Sequence, residues 1–168
     1  FGKNWRFRYE SVIGRFGQEA QLLSGSGRSL LFTTPAGENL DVVGSDVTLV
    51  SPPGCFDTLV YKPSGPRFEL TLARQHLTYV YGAVVGGAVF HLTAIRDRFG
   101  NQVTISVNTS NGQITAISDP LGRLFNFAYN AAGLCTGITV PGGRSLSFSY
   151  DAAKNLTGMV DMWGYVAS

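Results

Sequence analysis

The chain has 168 residues, 44% of them hydrophobic, with 21 glycines and a formal charge of +2. That apolar content excludes a disordered chain and is enough to bury a core, while the glycines point to many tight turns. Only 14% of residues are charged and no run of Lys or Arg occurs, so no nucleic-acid partner is expected, because phosphate binding needs clustered cations. The longest apolar stretch, 83–90, is shorter than a bilayer and broken by Gly86 and Gly87, so no membrane span is expected.

The chain opens Phe1-Gly-Lys-Asn-Trp-Arg, with neither an apolar signal segment nor an initiator Met, and reads as a piece of something longer. Trp5, Phe7 and Tyr9 alternate with Arg6, Arg8 and Glu10, the pattern of a half-exposed strand. Further strands are expected at 29–33, 47–50, 58–61, 68–72 and 77–81. Turn clusters such as Ser24-Gly-Ser-Gly27 and Ser51-Pro-Pro-Gly54 separate them. Gly82-Ala-Val-Val-Gly-Gly87 has neither dinucleotide nor P-loop spacing and reads as a flexible hairpin tip. No segment carries a capped 3.6-residue period, so little or no helix is expected. Residues 1–89 form an irregular β region, and 90–168 behave differently.

From residue 90 a repeat sets in. Leu92-Thr-Ala-Ile95, Ile114-Thr-Ala-Ile117, Cys135-Thr-Gly-Ile138 and Leu156-Thr-Gly-Met159 start 22, 21 and 21 residues apart. A turn glycine follows each at a matching distance: Gly100, Gly122, Gly143 and Gly164. After the first three glycines the chain alternates strictly, with Val103, Ile105 and Val107, then Phe125, Phe127 and Tyr129, then Leu146, Phe148 and Tyr150. Period-two alternation places each trio on one sheet face, so each copy supplies a strand with an apolar side. Stacked, the trios form a stripe that reads as core. Asp97, Asp119 and Asp161 open turns at one end of the hairpins; Asn130 and Asp151 open them at the other. Leu92 and Ile95, three apart and both apolar, conflict with simple alternation, and a bulge or burial on both faces would reconcile them. One stripe cannot by itself offset the ordering of so many residues, so the sheet has to stack on neighbours or curl around an interior.

Gly143-Arg-Ser-Leu-Ser-Phe-Ser-Tyr-Asp151, followed by Asn155-Leu-Thr-Gly158, resembles a YD repeat. Gly122 to Asn130 matches the same pattern with Asn for Asp, and Gly100 to Asn108 matches with Val107 in the tyrosine's place. The front of the chain resembles the region preceding the repeats in bacterial Rhs proteins. The resemblance implies an all-β fold of tandem β-hairpins forming a curved, open segment of a YD-repeat β-shell. It also implies a structural function, the enclosure of a C-terminal toxin for delivery from a bacterial cell to a target. The expected partners are the rest of the shell and the enclosed toxin domain, with secretion apparatus or surface glycans as further candidates. Ile95, Ile117, Ile138, Phe125, Phe127, Tyr129, Phe148 and Tyr150, with Gly100, Gly122 and Gly143, are the repeat-defining and core positions.

Catalytic chemistry is not expected, nor a cofactor or metal. His76 and His91 have no Cys or carboxylate at ligand spacing. Ser24-Gly-Ser-Gly27 is not a nucleophile elbow. Asp119-Pro-Leu-Gly-Arg123 partly resembles the Asp-Pro-x-Gly-Leu element of a self-cleaving region, but repeat turns use the same residues, and a turn is the favoured reading. Cys55 and Cys135 read as two buried thiols rather than a disulfide. The alternative function is a carbohydrate- or protein-binding β-module, with Trp5, Tyr61, Tyr79 and Tyr81 stacking on sugars. Unpaired edge strands would favour self-association in either case.

Overall fold

In the computed structural model, described over residues 7–167, the chain is all-β and antiparallel, with no helix among the described residues. The strands are β1 (Val12–Phe16), β2 (Glu19–Leu23), β3 (Ser29–Thr33), β4 (Val47–Leu49), β5 (Thr58–Lys62), β6 (Arg67–Leu72), β7 (Leu77–Val85) and β8 (Val89–Arg96). They continue as β9 (Gln102–Val107), β10 (Ile114–Ser118), β11 (Leu124–Tyr129), β12 (Cys135–Thr139), β13 (Ser145–Tyr150), β14 (Leu156–Val160) and β15 (Val166–Ala167). From β4 to β15 each strand pairs with the next, giving one open meander.

The first three strands branch from that meander and fold over it. Val89, Phe90 and His91 of β8 pair with β1, while Ala94, Ile95 and Arg96 of the same strand pair with β9. β1 continues to β2 and β3, and a single bridge joins Thr33 to Val50, just past β4. Main-chain pairing therefore runs in a ring through the first eight strands, and the meander leaves the ring at β8.

Most of the core lies inside this ring. Ile13, Phe32, Leu59 and Phe68 are fully buried, with Phe90, Leu92 and Tyr81 almost so. Alternation explains the selection: in β8, Phe90 and Leu92 point in while Val89 and His91 beside them are half-exposed. Phe68 meets Phe90 edge-on at 5.0 Å and lies 4.8 Å from Tyr61, the offset geometry aromatic rings prefer. Leu40, from the long loop after β3, plugs one end, anchored by its N–H on Gly17 O at 2.8 Å. Arg15 lies beneath it. Its guanidinium donates to the Tyr61 hydroxyl at 2.6 Å and sits 5.5 Å from the Tyr61 and Phe90 ring centres. Asp41 Oδ1, 2.9 Å from Arg15 Nε, supplies the counter-charge without hydrogen-bond alignment.

Two local expectations fail. Trp5 lies outside the described residues, and Phe7 to Glu10 form a turn rather than a strand. The Glu10 carboxylate accepts the Phe7 N–H and the Glu10 N–H returns to Phe7 O, both at 2.8 Å. A short carboxylate-closed turn satisfies these groups locally, so no partner strand is needed. Phe7 and Tyr9 then both face the core, 5.3 Å apart. The second failure is Gly82 to Val85, which belong to β7, leaving the tip to Gly86 and Gly87 with φ of 62° and 79°. Gly82 is skipped in the register with β8 and marks a bulge.

Candidate functional site

The repeats make a wall one sheet thick, and its construction recurs residue for residue. Tyr81 pairs with Leu92 and Val80 with Ala94, so Thr93 is left over as a bulge. Thr115 is skipped opposite Ser106 and Val107, Thr136 opposite Ala128 and Tyr129, and Thr157 opposite Ser149 and Tyr150. Each threonine of the repeated tetrapeptide is therefore an inserted residue. The extra residue lets the first and fourth positions face the same way, which resolves the conflict at Leu92 and Ile95. Thr93 and Thr115 also donate their hydroxyls across the bulge, to Val80 O at 3.1 Å and Ser106 O at 3.3 Å.

A bulge frees a carbonyl, and in two copies a tyrosine takes it. Ile114 opposes Val107 in a pair without mutual hydrogen bonds, next to the bonded pair of Asn108 and Gln113. Its C=O therefore points toward β11, whose pairing with β10 reaches only to Ala116. Tyr129 donates its hydroxyl there at 2.8 Å. One repeat later Tyr150 donates to Cys135 O at 2.6 Å. Burial raises the pKa of both tyrosines above the usual phenol value, holding them protonated as donors. In the copy that has Val107 instead, the open side of Leu92 is filled by Ser11, whose C=O accepts the Leu92 N–H at 3.0 Å.

The turns repeat as well. Asp97, Asp119, Asn130, Asp151 and Asp161 each close a turn in which their N–H bonds to the residue four ahead. The side-chain oxygen accepts N–H groups two and four residues on at Asp97, Asp119, Asn130 and Asp161, at 2.8–3.0 Å. The fourth turn residue has positive φ, glycine everywhere except Lys154 at 68°. The turn from Asn108 to Gln113 is one residue longer, which accounts for the single 22-residue spacing.

The anticipated site residues share the inner side of this wall at different depths. Ile117 is buried. Ile95, Ile138, Phe125, Phe127, Tyr129, Phe148 and Tyr150 are half-buried, while Gly100, Gly122 and Gly143 lie exposed in the turns. Of the nine-residue stripe only Ile105 is fully covered. The stripe is therefore not wholly interior. Near the ring it is capped, with Phe7 on Phe127 at 5.4 Å, and further along, Leu146 to Tyr150 are half-open. Sequence reasoning missed a second feature. Phe99, Leu121 and Trp163 hold the same turn position and are 75%, 79% and 68% exposed, forming an apolar row along one rim. Their shared place one residue before Gly100, Gly122 and Gly164 was the available signal, and Gly142 holds that place before Gly143.

Other candidates are accounted for structurally. The Asp119 carboxylate takes two turn N–H groups and Arg123 Nε at 2.6 Å, all within its own hairpin turn. His76 sits exposed in the turn before β7, and burial lowers the pKa of half-buried His91. No cluster of three or more potential metal ligands occurs among the described residues. Both cysteines are free thiols; Cys135 is buried and Cys55 only half so. Tyr61 and Tyr81 are 2% and 1% exposed, which removes them as sugar-stacking platforms.

These features define a class: an all-β protein of tandem hairpins in which bulge, tyrosine and turn recur in phase. Residues 109–145 and 129–161 match the RHS Repeat family model, and the chain carries RHS repeats across that stretch. This is a structural repeat family rather than an enzyme family. A comparison of the chain with curated proteins found no match.

Two predictions follow from the wall. Tyr150→Phe keeps the ring and removes the bond to the bulge carbonyl, so it is expected to destabilise by about 0.5–1.5 kcal/mol in urea unfolding. Unchanged stability would show that water serves that carbonyl equally well. The second concerns acid. Asn101 and Asn155 side chains, with main-chain N–H groups, lower the pKa of Asp97 and Asp151. At Asp119 desolvation acts upward but is outweighed by the Arg123 and Leu121 bonds. Folded values below unfolded ones mean that these groups contribute fully above the unfolded value of about 3.9 and lose that contribution as pH falls through the folded values. Unfolding midpoints should therefore drop across that acid range, less steeply in an Asp97→Asn, Asp151→Asn double variant. Identical slopes would refute the assignment.

Proposed function

We propose that this chain is a structural segment of an Rhs/YD-repeat shell that encloses a C-terminal toxin, delivered from a bacterial cell as part of a longer protein. The observation that carries the reading is the in-phase recurrence of bulge, tyrosine clamp and turn along a wall with one apolar side. Such a unit can be repeated until the wall surrounds a volume, and stacked repeats reach stability only through their neighbours. The half-open aromatic side suits the interior of such an enclosure, where further wall or cargo would cover it.

The division at residue 89 belongs to the same proposal. Residues 1–89 start the wall as an irregular β region, and 90–168 extend it with hairpins of about 21 residues. β8 serves both parts, since one half of its edge pairs with β1 and the other with β9.

Electron microscopy of the full-length natural protein is expected to show a closed hollow shell with density inside. A solid rod, or a ladder surrounding no space, would sink the enclosure reading. Among the described residues β15 pairs only with β14, through Met159 and Val160, and an outer edge without a partner strand can recruit another chain. Sedimentation of the 168-residue chain should show association that rises with concentration. A strictly monomeric profile at high concentration would overturn that part.

A further inference from the structure

The ring of strands is not closed along its whole height. Thr33 and Val50 exchange main-chain bonds of 2.7 and 3.2 Å, and the ladder stops there. Continued in the same register it would set Leu31 against Pro52 and Ser29 against Gly54. Pro52 has no N–H to offer, and the chain instead turns away, with Cys55 N–H bonding to Pro52 O at 3.0 Å. On its other side β3 is paired throughout with β2. The bonds Ser24 N–H to Arg28 O and Thr34 N–H to Gln18 O place the even-numbered residues toward β2. Ser29 and Leu31 therefore direct two N–H and two C=O groups outward, and none of the four has a main-chain partner among the described residues.

Two cavities of about 490 and 380 Å³ lie beside this edge and share Arg28, Asp57 and Leu72. Leu22, Leu30 and Leu70 floor the larger one. Arg8 lines the larger cavity and Arg74 the smaller, so three guanidiniums surround the pair against one carboxylate. That carboxylate, Asp57, already accepts the Ala73 N–H at 3.0 Å. None of the three arginines makes an ion pair among the described residues. Gly25 fixes the edge of the larger cavity: a Cβ there would overlap Arg8 O, so the turn entering β3 is pressed onto the backbone that carries Arg8.

We propose that this slot takes an extended acidic peptide from a partner protein, added as a strand on β3. Unpaired main-chain groups supply the ladder, alternate apolar side chains fill the leucine-floored cavity, and Arg8, Arg28 and Arg74 select carboxylates. Two of these elements would be weak alone. An exposed edge without charge invites aggregation, and unpaired surface arginines without a cavity are ordinary solvated charges. The proposal does not depend on the enclosure reading, since it concerns the ring and not the repeats.

The test is fluorescence anisotropy with a short blocked peptide alternating glutamate and valine. Saturable binding is expected, weakened at least tenfold by a lysine-for-glutamate peptide and by an Arg28→Glu, Arg74→Glu double variant, both sites being exposed. A peptide N-methylated at alternate amides should lose binding, and the parent peptide should slow hydrogen exchange at the Ser29 and Leu31 amides. Absence of binding, equal affinity for the lysine peptide, or full retention by the N-methylated peptide would each overturn the proposal.

Discussion

One inserted residue per copy governs the repeat wall. Threonine bulges at 93, 115, 136 and 157 break the two-residue alternation of a strand, so that positions three apart share a face. Without the bulge, Ile114 and Ile117 would sit on opposite sides and one of them would be wasted on solvent; with it, both are buried. The insertion has a cost, because the ladder is interrupted and a carbonyl loses its strand partner. Tyrosine at the end of the following strand is the residue that meets this need, with a ring for the apolar side and a hydroxyl at the reach of the freed oxygen. The tyrosine is therefore not interchangeable with phenylalanine at 129 and 150, although Phe125, Phe127 and Phe148 stand on the same stripe.

How much of this could be read from sequence depended on range. Hairpins, turn ends and period are local: alternation and Asx-to-glycine spacing determine them within a few residues, and β3, β5, β6 and β9 to β14 lie where these patterns place them. The bulge was visible as a conflict at Leu92 and Ile95, and the pairing register supplies its resolution. The ring was not visible. β1 and β2 are short, with Gly14 and Arg15 interrupting any apolar pattern, and the meeting of β1 with the start of β8 spans some seventy-five residues or more. Nothing local encodes such a contact. Phe7 and Tyr9 misled for a related reason. Their alternation is real, but Glu10 closes a turn that outcompetes the strand.

Ring and ladder bury apolar surface in different ways. The ring surrounds its own core, so Phe32, Phe68 and Phe90 are sealed without outside help. The ladder has only one layer. Its apolar side is covered where Phe7 and the ring edge lie over it, and becomes half-open through β11 and β13. The same side chains are thus core at one end and lining at the other, a gradient that composition alone could not reveal.

The clamp has a consequence for how such genes change length. Ile114 and Tyr129, like Cys135 and Tyr150, stand fifteen positions apart within one hairpin, so each of these two clamps is complete within its own copy. Whole copies can be gained or lost by recombination with no compensating change elsewhere. A one-residue insertion inside the clamped span would throw its phenol out of phase with the oxygen it serves. The extra residue that this chain does tolerate lies between Asn108 and Gln113, outside any such span, and the wall grows in quanta.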